Sequence, residues 1–324
     1  MNKLSQLKGH RILFIGIGFY DYDQSIIAEL KKLNKEVSYF STHTNIWNLL
    51  IFKRLHLNKI SEKILKKNID RQINRSSINN DIVFVIKGEN FDDSHLIKLR
   101  SLNPNAIFIL YLWDDLHRLK NLNTLNYFDK IWSFDRVDCL KNKNLSFRPL
   151  FYREKQNKTT KNIDISFIGG LHSDRLEISR EIKRQAKLNG KSYYIKLYTG
   201  IWLFIKMIIT GQLRIKDLDI ISILPISYNK VIDITRKSKV VLDVQHPSQY
   251  GLTMRSIEAI ESGCILLTTN KDLVNYSDIP KESYIILDRE HPVFPNIINA
   301  STFKLSDSYS LKNFLKEVIF INEN

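Results

Sequence analysis

Residues 240–270 read VVLDVQHPSQYGLTMRSIEAIESGCILLTTN. The runs 240–244 and 264–267 are short, rich in branched aliphatics and bounded by turn-forming residues, which predicts parallel strands buried on both faces. Between them the spacing predicts a helix. Thr253 is placed to cap its start, Gly263 to close its end, and Met254, Ile257 and Ile260 recur three apart on one core-facing stripe. The polar residues gather on the loop and the first helical turns, where an open α/β sheet keeps a ligand. Arg255 is a cation in the first turn, opposed to the positive end of the helix macrodipole. A phosphate beside it would answer that charge, held by the guanidinium fork and by free backbone N–H groups. Glu258, one turn on, could accept two hydrogen bonds from a vicinal diol such as a ribose. An ordinary Arg–Glu pair on a solvated helix face is the plainer account of these two residues. Gln245, His246, Gln249 and Thr253, clustered on the same loop, favour the ligand.

A second strand-to-helix turn opens this half of the chain. Residues 163–170, IDISFIGG, form an apolar run ending in Gly169 and Gly170, followed by a helical pattern with Ser173 or Asp174 as cap and Arg175 near its start. Glycine at such a turn lets backbone N–H groups approach a phosphate closely, although a glycine pair is also an ordinary tight turn. Further back, RILFIGIG (11–18), a helix at 24–34, EVSYF (36–40), DIVFVIKGE (81–89), a helix at 93–102, AIFILYLW (106–113) and KIWSF (130–134) alternate strand and helix. That alternation predicts another parallel sheet covered on both faces. The polar, aperiodic stretch 153–161, REKQNKTTK, reads as a linker. The expected organisation is therefore α/β, with two Rossmann-like domains at 1–152 and 162–324, each long enough for its own core. Residues 308–321 carry Leu311, Phe314, Leu315 and Val318 at helical spacing, predicting a terminal helix that either packs locally or returns to the first domain.

The segment HPSQYGLTMRSIEAIESGCILLTTN, with its Gly-Leu-Thr-x-Arg-x-x-Glu core, resembles the donor-site signature of two-domain glycosyltransferases of the GT-B type. The resemblance is closest to the CgeB-like group and related bacterial enzymes of capsule and lipopolysaccharide synthesis. It implies two Rossmann-like domains facing each other across a cleft, with a nucleotide-sugar donor held mostly by the second. It implies that Glu258 stands at the ribose-binding carboxylate, that Thr253 and Arg255 lie near the diphosphate, and that Gly169, Gly170 and Arg175 open the donor domain as similar enzymes do. Gln245 and His246 join this donor-binding set. Many retaining members carry a second glutamate eight positions before the first. Here that position is Tyr250, so the retaining two-carboxylate chemistry is not carried over. The nucleotide sugar is a substrate, and neither a cofactor nor an obligatory metal is implied.

In the first half, Gly16-x-Gly18 follows the first strand, but Asp21 occupies the position of the third glycine of a dinucleotide fingerprint, which argues against nicotinamide. Under the resemblance this loop serves the acceptor, with Gly16, Gly18 and Asp21 on the acceptor side and Asp23 a further candidate for hydroxyl recognition. Asp114 and Asp115 end the strand at 106–113, Glu89 ends the one at 81–89, and Asp135 follows a third. Carboxylates at the carboxyl ends of parallel strands point into a crevice and are candidates to take a proton from an acceptor hydroxyl. Asp114 and Asp115 are equally suited to capping a helix that begins near Leu116. The eight histidines and two cysteines show no CxxC or HExxH spacing, so no metal site is expected.

The net charge of +15 favours an anionic partner. Its densest patch runs from Ile46 to Arg75, where Lys and Arg interleave with Leu, Ile and Phe after Trp47. That pattern suits either an anionic bilayer surface or a packed helix with a solvated charged face. A second stretch, YYIKLYTGIWLFIKMIITGQLRIK from Tyr193, is markedly apolar and reads as a buried strand and helix or as another lipid contact. No eighteen-residue apolar run, signal-peptide pattern or disulfide-suited cysteine pair is present. The expectation is a cytoplasmic enzyme, peripheral at the inner face of the plasma membrane, transferring sugar to a lipid-linked or lipopolysaccharide acceptor. Removing Arg255 is then expected to cut turnover with the fold intact. A catalytically inactive scaffold of the same fold is the alternative. Nucleic-acid binding, suggested by charge and aromatics, lacks any recognition module and is not expected.

Overall fold

The computed structural model describes residues 11–18, 21–33, 35–42, 58–119, 121–154, 159–296, 303 and 305–320. They form two compact units, Met1–Pro149 with Leu311–Asn324, and Leu150–Ser310. Each is an α/β unit built on a six-stranded sheet in which every strand pairing is parallel.

Unit 1 comprises β1 (Arg11–Gly16), α1 (Tyr22–Lys32), β2 (Glu36–Ser41), α2 (Asn58–Arg75), β3 (Ile82–Ile86), α3 (Asp93–Leu102), β4 (Ile107–Leu112), β5 (Lys130–Ser133), α4 (Arg136–Lys141) and β6 (Ser146–Phe147). The strand order is β2-β1-β3-β4-β5-β6. Near-continuous aliphatic and aromatic runs such as IVFVI suit strands covered on both faces, where alternate residues leave in opposite directions and both must be apolar. Leu13, Val83, Val85, Phe108 and Leu110 form one core face with Ile69 and Ile73 of α2 and Leu96 and Leu99 of α3. On the other face Phe14 stacks on Phe84 with centroids 5.5 Å apart. There Tyr111 meets Phe314 edge-on at 4.7 Å.

Phe314 belongs to the terminal helix Leu311–Phe320, which lies in unit 1. Its Val318 carbonyl accepts from Trp132 Nε1 at 3.1 Å, and its Glu317 pairs with Arg148 at 2.7 Å. Of the basic stretch Ile46 to Arg75, residues 46–57 lie outside the described residues. The remainder is α2, a packed helix that buries Ile69 and Ile73 and turns its cations to solvent.

Unit 2 contains β7 (Ile163–Gly170), α5 (Arg175–Leu188), β8 (Tyr193–Tyr198), α6 (Ile201–Ile209), β9 (Ile221–Ser222), α7 (Tyr228–Lys237), β10 (Ser238–Asp243), α8 (Met254–Glu261), β11 (Ile265–Thr268) and β12 (Tyr284–Ile286). The helix Leu311–Phe320 of unit 1 is α9. The sheet order β12-β11-β10-β7-β8-β9 runs outward in both directions from β7 and β10. Ile165, Phe167, Val240 and Leu242 pack on Leu176, Ile178 and Ile182 of α5, while α7 and α8 cover the opposite side. Thr253 accepts from the Ser256 N–H at 3.1 Å as the cap of α8, and Gly263 ends that helix with φ +66°. The apolar stretch from Tyr193 divides in two. β8 buries Ile195 and Leu197, whereas α6 has no buried residue. Within the linker stretch 153–161, residues 155–158 lie outside the described residues. Arg153 is anchored in unit 2, its guanidinium 3.1 Å from the centroid of the Tyr228 ring. Both cysteines are free thiols.

Candidate functional site

The order of the second sheet reverses between β7 and β10, and crevices at such reversals open at the carboxyl ends of the strands. Three arginines converge there. Arg255 donates from Nη1 to Asp243 at 2.6 Å and from Nε to the Ile168 carbonyl at 3.0 Å. Arg175, at the start of α5, donates from Nε to the Val244 carbonyl at 2.7 Å and from Nη1 to the Gly170 carbonyl at 2.9 Å. Arg289 grips both oxygens of Asp174 at 2.8 and 2.7 Å and donates to the Gln245 carbonyl at 2.6 Å. The first two guanidinium groups also sit over the Phe167 ring, at 5.0 and 5.6 Å from its centroid.

Asp243, the last residue of β10, organises the group. It is 1% exposed and accepts from Thr253 Oγ1 at 3.0 Å and Ser256 Oγ at 2.5 Å as well as from Arg255. The unfavourable position of Arg255 at a helix start is therefore answered first by a buried carboxylate of its own chain. The charge left over belongs to Arg175. It is 7% exposed, bonded to carbonyls, and has no carboxylate within ion-pair distance among the described residues. Burial, and then the neighbouring Arg255, push its pKa down to about 9 although the more distant Asp243 and Asp174 oppose them. A guanidinium does not shed its proton at neutral pH, so an anion placed beside it would be favoured. Three cations against Asp243 and Asp174 leave a net positive charge of one in this cluster.

Gly169 has a different use from the one its sequence suggested. A Cβ there would lie 2.9 Å from Arg255 Nη2 and 3.2 Å from Arg175 Nη1, so the missing side chain makes room for two guanidinium groups. Gly170 lends its carbonyl to Arg175. Asp174 holds the N-cap position of α5 but makes no capping bond, because Arg289 occupies its carboxylate. Gln245 is buried and donates from Nε2 to the Gln249 carbonyl at 2.8 Å. His246 stands on the rim with His172, ring centroids 5.9 Å apart.

Glu258 lies deeper than a solvated helix face. It is 4% exposed, accepts from Tyr228 O–H at 2.8 Å, and burial raises its pKa to about 7 against the opposing effects of Tyr228, Arg153 and Arg255. With Arg153 stacked on Tyr228, the three form a chain leading to the buried acid. The truncation Arg255→Ala would strand Asp243 as an unpaired buried charge, so the expectation that the fold stays intact gives way to a cost of about 3–5 kcal/mol.

In unit 1 the candidate residues are engaged locally. Asp114 and Glu89 both pair with Lys87, at 2.8 and 3.3 Å, and these carboxylates raise the lysine pKa although burial opposes them. Asp135 caps α4, accepting from the Val137 and Asp138 N–H groups at 2.9 and 3.3 Å. Asp115 is 2% exposed and helps burial raise the pKa of Asp138, against a hydrogen bond from the Leu116 N–H. It precedes a short 3₁₀ turn, Leu116–Arg118, without a capping bond. Gly16 leaves room for the Asp23 carboxylate, which accepts from the Ile17 and Gly18 N–H groups at 3.2 and 2.6 Å and from Tyr39 O–H at 2.7 Å. Asp21 is exposed, in the left-handed region at φ 56°. Among the described residues no group of three His, Cys, Asp or Glu could hold a metal ion, and no helix is long and apolar enough to cross a membrane.

Sequence reasoning missed Asp243, Arg289, Tyr228 and Arg153. Asp243 was visible as the acid that stops an apolar strand ten residues before Thr253. Arg289 lies 115 residues from Asp174 in sequence and offered no local signal.

No protein-family model matches the sequence, and no curated protein matches it. Similar solved structures include a UDP-GlcNAc 2-epimerase of Methanocaldococcus jannaschii in complex with UDP-GlcNAc and UDP, at 12% identity over 97% of this chain and 94% of that one, TM-score 0.49. Anabaena HepE in complex with UDP-glucose is similar at 10% identity over 82% of each chain, TM-score 0.48. MurG of Acinetobacter baumannii is similar at 10% identity over 86% of each chain, TM-score 0.45.

Proposed function

We propose that the protein is a glycosyltransferase of the CgeB-like, GT-B kind, moving a sugar from a nucleotide diphosphate donor to a cell-envelope polysaccharide or lipopolysaccharide acceptor at the inner face of the plasma membrane. The observation that carries the reading is Arg175, a buried guanidinium beside Arg255 with no carboxylate partner among the described residues, at the strand-order reversal of unit 2. A diphosphate fits that vacancy of charge. On departure from the sugar it gains negative charge, which fixed cations stabilise more than they stabilise the bound donor. In this reading Arg175, Arg255 and Arg289 hold the diphosphate, the Glu258–Tyr228 pair meets the ribose, and Gln245, His246 and Thr253 border the donor. Glu89, Asp114, Asp115 and Asp135 are the candidates for activating the acceptor, with Gly16, Gly18 and Asp21 beside it. The stretch Ile46 to Arg75 adds attraction to anionic lipid.

A second reading, a catalytically inactive scaffold of the same fold in a polysaccharide synthesis complex, is favoured by the state of those carboxylates. Two are paired with Lys87, one caps a helix and one is buried. Calorimetric titration with a panel of nucleotide sugars, followed by product analysis on envelope glycolipid, decides between them. The transferase binds one donor and turns it over, and Arg175→Met weakens that binding at least about tenfold, or about 1.4 kcal/mol. The absence of both binding and turnover supports the scaffold. Wild-type affinity in Arg175→Met would sink the diphosphate assignment itself.

A further inference from the structure

The helix α6, IWLFIKMII, is the least protein-like surface of unit 2. Phe204 and Met207 pack inward against the core, and Ile201, Trp202, Leu203, Ile205, Ile208 and Ile209 are left exposed, Trp202 by 59% and Ile209 by 79%. The chain continues in the same manner, with Ile215 89% exposed on the turn Ile215–Ile220 and Leu224 72% exposed after β9. Single exposed aliphatics are ordinary, but a run of this kind marks a contact surface.

The charges around it select the partner. Lys206 projects from the outer side of the helix, and Arg214 and Lys216 follow on the exposed turn. The two acids of residues 191–230 are already neutralised. Asp217 is clasped by Arg180, which donates from Nε at 3.1 Å and from Nη2 at 2.6 Å, and Asp219 is bound by Lys183 and, at 3.1 Å, by Tyr193 O–H. A second copy meeting this face through a two-fold axis would bring Lys206, Arg214 and Lys216 of both copies into one interface while Asp217 and Asp219 are held by Arg180 and Lys183, which repels. An anionic bilayer complements both features at once. Aliphatic side chains and the Trp202 indole enter the headgroup boundary while the lysines reach phosphates. At nine residues α6 is about 14 Å long, far short of the roughly 30 Å hydrocarbon core, so it lies in the interface and does not cross.

We propose that α6 and the turn after it seat unit 2 on an anionic lipid surface. The inner edge of α6 shares a cleft of about 540 Å³ with the loop that follows β7. Leu203, Met207 and Arg214 line one part of it, His172, Ser173 and Leu176 another. Arg175 begins the helix directly after that loop. Seating α6 therefore brings the lipid surface to the loop that precedes Arg175, which under the proposed function is where a lipid-linked substrate would have to approach. The lipid contact itself does not depend on the transferase reading.

Flotation of the full chain with vesicles tests it. One set contains one part phosphatidylglycerol to two parts phosphatidylcholine, the other phosphatidylcholine alone, and nucleotide-sugar binding in solution is measured separately on every variant. The wild type floats with the anionic vesicles only. Trp202→Glu with Ile205→Glu and Ile209→Glu lowers the bound fraction at least about tenfold, with the far-ultraviolet circular dichroism of the folded protein retained. Lys206→Glu with Lys216→Glu lowers it too, most at low salt. The proposal is overturned if the wild type fails to float, or if both variants float as the wild type does. It is overturned equally if the apolar variant instead abolishes a dimer seen by light scattering, or if only changes at Lys66, Lys67 and Arg71 of α2 release the protein. Loss of flotation with nucleotide-sugar binding retained separates this surface from the donor site.

Discussion

Each unit begins with a strand that ends in glycine and turns into a helix, and the two turns are filled with opposite charge. After β1, the space left by Gly16 holds the Asp23 carboxylate, where a Cβ would approach Oδ2 to 2.3 Å. The Ile17 and Gly18 N–H groups are consumed by that acid. After β7, the space left by Gly169 holds the guanidinium groups of Arg255 and Arg175, which donate to nearby carbonyls. Among its described residues the first turn gives the Ile17 and Gly18 N–H groups to its own carboxylate and so does not offer them to an anion. The second is cationic and lacks one counter-charge. Glycine at a strand-to-helix turn thus says that something must come close, and the charge of that something decides whether the turn is a strut or a binding site.

The largest effects come from removing the acid of each turn. Asp243→Ala leaves the partly buried Arg255 without its partner and removes the acceptor shared by Thr253 and Ser256, and is expected to cost unit 2 about 3–5 kcal/mol in urea denaturation. Asp23→Ala removes a carboxylate that only gathers hydrogen bonds, and is expected to cost unit 1 about 1.5–3 kcal/mol. Equal costs would erase the distinction between a paired charge and a hydrogen-bonded one.

The buried acid Glu258 sharpens the contrast through pH. Its folded pKa is raised to about 7 from 4.5, so the stabilisation it contributes is full below about pH 4.5 and is lost as pH rises through 7. Glu258→Gln keeps an acceptor for Tyr228 and cannot ionise. Relative to the wild type it is expected to gain about 3 kcal/mol between pH 4.5 and pH 8, read from urea midpoints across that window. A pH-independent difference would mean that solvent reaches the carboxylate.

Smaller effects follow from filling the glycine spaces. Gly16→Ala and Gly169→Ala are each expected to cost about 1–3 kcal/mol in their own unit. Only Gly169→Ala should weaken binding of a nucleoside diphosphate in calorimetry. The smallest change in stability is expected for Arg175→Met, within about 1 kcal/mol, because an apolar chain of similar length replaces a buried charge that lacks a counter-ion. A loss of several kcal/mol in the ligand-free protein would show that Arg175 is satisfied as it stands, and the asymmetry between the two turns would vanish.

The α/β character of both units was readable because buried parallel strands must be apolar on both faces, and runs such as IVFVI and ILLT leave no other reading. The cap of α8 at Thr253 was equally local, since a cap and the N–H it accepts lie three residues apart. The site was legible only in outline. Arg175 and Arg255 could be picked out by their helix positions, but their partners could not. Asp243 is twelve residues from Arg255, Tyr228 thirty from Glu258, and Ile168 eighty-seven from Arg255. The segment from Tyr193 divided where periodicity could not divide it. An apolar helix reads the same whether it is covered or bare, and β8 is covered while α6 is not.

Local chemistry alone determined where strands, helix starts and glycine turns fall, because propensity, capping and backbone freedom act over a few residues. Which cation keeps an unmatched charge, which acid is buried far enough to have its pKa raised, and which apolar helix meets solvent were decided by the tertiary structure. Those properties depend on how much water is excluded and on which opposite charge arrives from a distant part of the chain, and neither quantity exists until the sheet has assembled.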